Sequence, residues 1–301
     1  MIVMHPIDIQ NAAMTELKAG FALRNVADIQ VPILLSVPHA GREYPAELYD
    51  QLRLPAASLV RLEDRYADYL SRDAITAGIP TIIALRPRAW IDLNRDAHEM
   101  DQEMLITADR VRNIIPGIKT RGGLGLVPRR LSGEGDIWKG QFTNAQISQR
   151  LESFHRPYHH QVSTILAEMR TRFGGAILLD LHSMPPLDDS YGVPPASFVI
   201  GDAFGKSASA RVSEILMSQI KQTGHFCQLN HPYSGHYILR MHGVVSQNIH
   251  AVQLEVDRAL YLDAALQQPG AGLAMITRLV AELCQTLARD GLQSSYLDAA
   301  E

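Results

Sequence analysis

Short apolar runs bordered by turn residues recur along the chain: Ile33–Val37, Thr81–Leu85, Ala89–Leu93, Ala176–Leu181, Ser197–Ile200 and Ile249–Val256. Runs of this length without polar alternation predict central strands buried on both faces. Between them, apolar positions fall at helical spacing over Ala57–Ala77, Asn144–Phe173, Ser207–Thr223 and Ala271–Ala288. The first pattern stops at Gly78 and Pro80. The second is expected to bend at Pro157 and to end at Gly174–Gly175. Strands alternating with helices predict an α/β fold, a mostly parallel mixed sheet flanked by helices.

The most irregular stretch is Leu105–Gly140, which holds seven glycines at no fixed period together with Pro116 and Pro128. A long excursion of this kind is usually functional or mobile. Elsewhere no linker divides the chain, so the expectation is a single domain over residues 1–301 with an elaborated loop region around 105–140.

Composition narrows the class. The 301 residues are 46% hydrophobic and carry a net charge of −4, which argues against a nucleic-acid or anionic-membrane surface. Two cysteines, Cys227 and Cys284, exclude a disulfide scaffold and a thiolate-only zinc site; their apolar neighbours read as buried packing. The first 25 residues lack a basic start and an apolar core, unlike a signal peptide. No stretch approaches 18 uninterrupted apolar residues, so no membrane span is expected. The expected class is a soluble, cytoplasmic protein.

Candidate chemistry collects where the predicted strands end. Ser36-Val37-Pro38-His39-Ala40-Gly41 follows the first strand, Asp180-Leu181-His182-Ser183 closes the run AILLD, and Gln253-Leu254-Glu255-Val256-Asp257 ends the last. Ligands in open α/β sheets bind outside the carboxyl ends of strands. Two histidines and a glutamate delivered to one edge therefore suggest a shared site, and two imidazoles plus a carboxylate is the hydrolytic zinc pattern. Each histidine could instead be a satisfied residue capping its strand. A fourth segment, Arg88–Asp96, carries Asn94-Arg95, a pair able to grip a carboxylate. The competing reading is an internal ion pair among Asp92, Arg95 and Asp96.

Eight segments in order, SVPHAGREYP, LEDRYADYL, IDLNRD, GLGLVPR, PYHHQV, LLDLHSMP, GHYILRMHG and VQLEVDRALYLD, span about Val31 to Asp263. Together they resemble the N-formylglutamate amidohydrolase family. The resemblance implies a zinc-carboxypeptidase and aspartoacylase-like architecture, a Zn2+ cofactor, hydrolysis of an N-acyl amide on an acidic amino acid, and a place in histidine degradation. It further implies His39 and His182 as metal ligands, Glu255 as the catalytic carboxylate and Asn94-Arg95 as the substrate clamp. The carboxypeptidase relatives carry His-x-x-Glu, whereas Arg42 stands three places after His39. The acidic ligand must come from elsewhere; Asp64 matches the family's acidic position, with Glu43 and Glu63 as competitors and Asp68 one turn along the same predicted helix. Arg240 matches the family's glycine-then-arginine segment and would bind a second substrate carboxylate or the developing oxyanion, its alternative being a surface arginine on a turn. His236 stands where that segment usually has a second glycine.

Other residues read more plainly. His159 is expected to be structural, His155 and His160 to lie on solvated faces, and Trp138 and Tyr191 to sit in loops able to cover the site. The expected partner is a small N-acyl amino acid, with a homo-oligomer left open. A carboxypeptidase-like hydrolase of short peptides and a non-catalytic carboxylate-binding protein are the alternatives.

Overall fold

The computed structural model describes residues 20–110, 116–188 and 195–292. Its strands are β1 (Phe21–Arg24), β2 (Ile33–Val37), β3 (Thr81–Ala84), β4 (Arg130–Leu131), β5 (Gly135–Asp136), β6 (Ala176–Met184), β7 (Phe198–Gly201), β8 (Cys227–Leu229) and β9 (Ile249–Asp257). The helices are α1 (Ala46–Gln51), α2 (Ala67–Leu70), α3 (Arg72–Thr76), α4 (Ile118–Arg121), α5 (Asn144–Arg150), α6 (Arg156–Phe173), α7 (Ala210–Gln222), α8 (Tyr237–His242) and α9 (Leu273–Asp290). Seven strands form one mixed sheet in the order β1-β3-β2-β6-β9-β7-β8, with β4 and β5 paired apart from it. The centre from β3 to β9 is parallel, while β1 and β7 run antiparallel to their neighbours β3 and β9. The expected mixed α/β architecture is therefore the one observed.

Side chains alternate between the two faces of a strand, and that parity organises the molecule. Ile33, Leu35 and Val37, Ile177, Leu179 and Leu181, and Val252, Leu254 and Val256 share one face and pack with α3, α7 and α9 into a continuous core. The opposite face changes character along its length. Leu34, Ala176, Leu178, Ile249 and Ala251 pack against α6 and α8. Towards the carboxyl ends the same parity delivers Ser36, Asp180, His182, Gln253 and Glu255, all buried. One half of one face is thus reserved for polar groups.

Three expectations are corrected. Ala89–Leu93 is not a strand: the Trp90 amide donates to the Pro87 carbonyl, Asp92 donates to Leu126, and Ala89 and Ile91 pack into a third core beneath the loops. An apolar run this short cannot by itself distinguish a strand from a buried coil. The predicted helix 57–77 is broken into a 3₁₀ turn at Ala56–Leu62 and the short α2 and α3. The break comes where the Asp64 amide donates to the His39 carbonyl at 3.0 Å and Tyr66 adopts φ 58°. The long helix 144–173 exists, but it relaxes through a π-helical turn at Leu151–His155 just before Pro157, which then sits in the first turn of α6. Gly174, at φ 78°, closes it.

The described part of the glycine-rich region is more regular than expected. It contributes α4, the β4–β5 hairpin, and Leu126, Val127, Ile137 and Trp138 to the third core, which also holds Leu48, Leu59 and Ile147. Trp138 is buried packing, with its indole N–H on the Pro128 carbonyl. Tyr191 lies outside the described residues. Among the described residues, no helix is long and apolar enough to cross a membrane.

Candidate active site

His39, Asp64 and His182 converge although they lie on three separate segments. Their nitrogen and oxygen atoms fall within 4.8 Å of one another, and all three residues are buried. His182 comes from the carboxyl half of β6. His39 follows β2 in a turn so close to the neighbouring chain that a Cβ on Gly41 would lie 2.0 Å from the Arg86 carbonyl oxygen. Asp64 reaches the pair because the predicted helix breaks there. The competing acids are engaged elsewhere: Glu63 accepts from Tyr44 and Arg65, Asp68 forms a two-pronged pair with Arg42, and Glu43 lies half-exposed near Arg86.

Each imidazole is oriented by a second carboxylate. His39 donates from Nε2 to Asp92 at 2.8 Å, and His182 donates from Nε2 to Asp180 at 2.8 Å. A carboxylate only accepts, so the Nε2 protons are placed and both Nδ1 atoms turn to Asp64. The distances are 3.5 Å from His39 and 3.0 Å from His182. His39 Nδ1 is buried with no hydrogen-bond partner. An orphaned lone pair beside a carboxylate and a second imidazole fits a divalent cation, and carboxylates behind ligating histidines are the usual support for such a site.

The supports have supports. Asp180 also accepts from Ser36, whose hydroxyl contacts Tyr158. Asp92 accepts from Arg88 and from the Asn94 amide, while Arg258 reaches Asp64 Oδ1 at 3.3 Å and the Ser183 hydroxyl at 3.0 Å. Burial alone would raise Asp64 and Asp92. The two histidines hold Asp64 well below the usual carboxylate range, and Arg88 and Arg95 do the same for Asp92. Burial also opposes charge on His182, yet Asp180 and Asp64 hold its imidazolium well above the ordinary histidine value. A ligating imidazole must be neutral, so a metal bound here would have to displace that proton.

Glu255 stands next to His182, its register partner on β9. It accepts from Gln253 at 2.8 Å, and burial pushes its carboxyl up to about 7. That is where a proton-transferring carboxylate works best at neutral pH. These groups line a cleft of about 370 Å³ together with Arg88, Asn94, Arg95, Lys119, Tyr233 and His236.

Asn94 and Arg95 leave no strand; they lie in a coil whose carbonyls are held by histidines. His159 bonds the Leu93 carbonyl at 2.9 Å, His236 that of Asn94 at 3.1 Å and His155 that of Arg95 at 2.7 Å. The Asn94 side chain accepts from the Ile238 amide and lies 3.4 Å from His182. Arg95 is buried, bonds the Leu124 and Asn94 carbonyls, and stands 4.0 Å from Asp92. Arg240 is placed differently. Its exposed side chain pairs with Glu99 at 3.2 Å and lines an adjoining cavity of about 680 Å³.

Sequence reasoning missed Asp180 and Arg258 and took Asp92 only as an ion-pair partner. Asp180 had a usable signal, since residues two apart on a strand share a face with His182. The expectation of a solvated His155 is corrected: it is buried against the Arg95 carbonyl, whereas His160 is exposed. His159 is buried and bonded to His242 at 2.9 Å. Both cysteines are buried, and burial pushes each thiol up to about 12.

The family model described as N-formylglutamate amidohydrolase matches residues 31–262. An N-formylglutamate deformylase from Pseudomonas putida is 32% identical over 78% of this chain and 83% of its own length. One from Pseudomonas aeruginosa is 30% identical over 86% of this chain and 93% of its own. The crystal structure of an N-formylglutamate amidohydrolase from Ralstonia eutropha JMP134 superposes with a TM-score of 0.82 at 27% identity, covering 90% of this chain and 98% of that one. A gene product from Agrobacterium tumefaciens shares the fold, with a TM-score of 0.63 at 17% identity over 89% of this chain and 94% of that one.

Proposed function

The chain belongs to the N-formylglutamate amidohydrolase family, and from that premise we propose that it hydrolyses N-formylglutamate or a closely related N-acyl acidic amino acid, with zinc held by His39, Asp64 and His182. The observation that carries the reading is the pair of imidazoles turned by Asp92 and Asp180 so that both Nδ1 atoms meet Asp64. Held by these three residues, zinc would supply the Lewis acidity needed to polarise an amide carbonyl and acidify a water.

The remaining chemistry falls to the protein. Glu255 removes the proton from the attacking water and returns it to the nitrogen of the leaving amine. Its buried setting keeps the carboxyl near neutrality, so both directions of transfer are accessible. Arg95 and Asn94 hold the substrate through a carboxylate, fixing the scissile amide between His182 and Glu255. Arg88 keeps Asp92, behind His39, ionised and oriented, while Arg258 reaches the outer oxygen of Asp64.

Metal analysis and a panel of N-formyl and N-acetyl amino acids test this directly. About one zinc per chain and cleavage of an N-acylated acidic amino acid are expected. A protein that binds no zinc, or cleaves no member of the panel, overturns the reading.

A further inference from the structure

Besides Arg95, four cations line the cleft: Arg61, Arg88, Lys119 and Arg258. The arginines are engaged. Arg61 pairs with Glu134 at 2.7 Å, Arg88 with Asp92 at 2.8 Å and Arg258 with Asp64 at 3.3 Å, and Arg95 braces two carbonyls. Of these five side chains only the Lys119 ammonium has neither a hydrogen bond nor an ion pair among the described residues; its Nζ lies 5.9 Å from the centre of the Tyr233 ring.

Lys119 sits on α4, which the glycine-rich region folds over the cleft. Its surroundings disfavour an uncompensated ammonium: partial burial, then Arg95 and Arg88, pull its pKa down. A bound anion between Lys119 and Arg95 would relieve that repulsion. Arg240, the sequence-based candidate for a second substrate carboxylate, is held by Glu99 and lines the adjoining cavity instead.

We infer that Lys119 receives the second carboxylate of the substrate, making the cleft selective for N-acyl amino acids with an acidic side chain. The inference rests on the proposed hydrolase reading and assigns its substrate preference to one residue. Arg95 with Asn94 takes one carboxylate and Lys119 the other, so a substrate with a neutral side chain leaves the ammonium uncompensated.

The test compares kcat/KM for N-formylglutamate and N-formylglutamine in the wild type, Lys119→Met and Lys119→Arg. Wild type is expected to favour the glutamate. Lys119→Met should reduce that preference tenfold or more, largely through KM, because a charge-assisted hydrogen bond is lost. Lys119→Arg should restore part of it. Glutarate, which carries only the two carboxylates, should raise the Tm of wild type more than that of Lys119→Met, a comparison independent of turnover. Cleavage of both substrates with a preference unchanged in Lys119→Met, or an equal rise in Tm, overturns this assignment alone. A wild type that cleaves neither substrate overturns the hydrolase reading as well.

Discussion

His182 and Glu255 are register partners on the adjacent parallel strands β6 and β9, so the sheet itself sets the imidazole and the carboxylate side by side. Neighbouring strands lie about 4.8 Å apart, which gives the pair a fixed separation no loop could guarantee. Gln253, two residues back on the same face, holds the carboxylate from behind at 2.8 Å.

Glu255→Gln keeps the shape and the Gln253 neighbour but removes the proposed base. Metal content is expected to stay at the wild-type level while kcat falls by about 100- to 10,000-fold. A variant that retains nearly full turnover would move proton transfer to another group, His236 first, since it also lines the cleft.

The metal reading separates residues that bind from residues that orient. His39→Ala and His182→Ala should lose zinc while keeping the circular-dichroism spectrum of the folded protein. Asp92→Asn and Asp180→Asn leave the donor atoms in place and weaken only their orientation, so affinity should fall by about 10- to 100-fold. Competition with a chromogenic chelator ranks the four. Equal losses across all of them would mean that folding, not coordination, is being measured.

Arg95→Lys keeps the charge and loses the planar two-pronged contact. If Arg95 is the clamp, kcat/KM for an N-acyl amino acid drops by roughly 10- to 150-fold, whereas a simple N-alkylformamide without a carboxylate is barely affected. A purely internal role beside Asp92 and Glu99 would instead lower Tm and affect both substrates alike.

The buried pair His159 and His242 makes stability depend on pH. Burial lowers His242 to about 4 and His159 well below the ordinary histidine value. Their folded-state affinity for protons is below that of the unfolded chain, so acid favours unfolding. Their contribution is complete above about pH 6.5 and is lost as the pH falls from 6.5 toward 4. For His242 alone the loss is on the order of 3 kcal/mol. Melting curves of wild type and His242→Gln between pH 8 and 4.5 should converge at the acid end. Parallel curves would remove His242 from the account.

Much was legible in the residues themselves. Unbroken runs such as Ile33–Val37 and Ala176–Leu181 read as central strands because burial on both faces leaves no alternation to confuse the pattern. Their position before His39 and within reach of His182 followed from chain order, as did the placement of Glu255 on the last strand. These are short-range properties, carried by the period of the chain and the identity of a few residues. The short edge strands Phe21–Arg24 and Cys227–Leu229 escaped notice because three or four residues carry too little periodic signal.

What only the tertiary structure decided is how distant segments interrupt one another. The helical pattern around Asp64 gives way because the Asp64 amide bonds the His39 carbonyl, and that break aims the carboxylate at two imidazoles. The apolar run at Ala89–Leu93 becomes a buried coil because the Leu126 carbonyl, rather than a neighbouring strand, takes the Asp92 amide. Asp92 and Asp180 acquire their roles from which nitrogen of each histidine they reach, and Lys119 stands out only because every arginine around it is already engaged. Local periodicity determines which residues can be buried; the pairing of buried polar groups depends on contacts between segments far apart in the chain, and no local pattern encodes them.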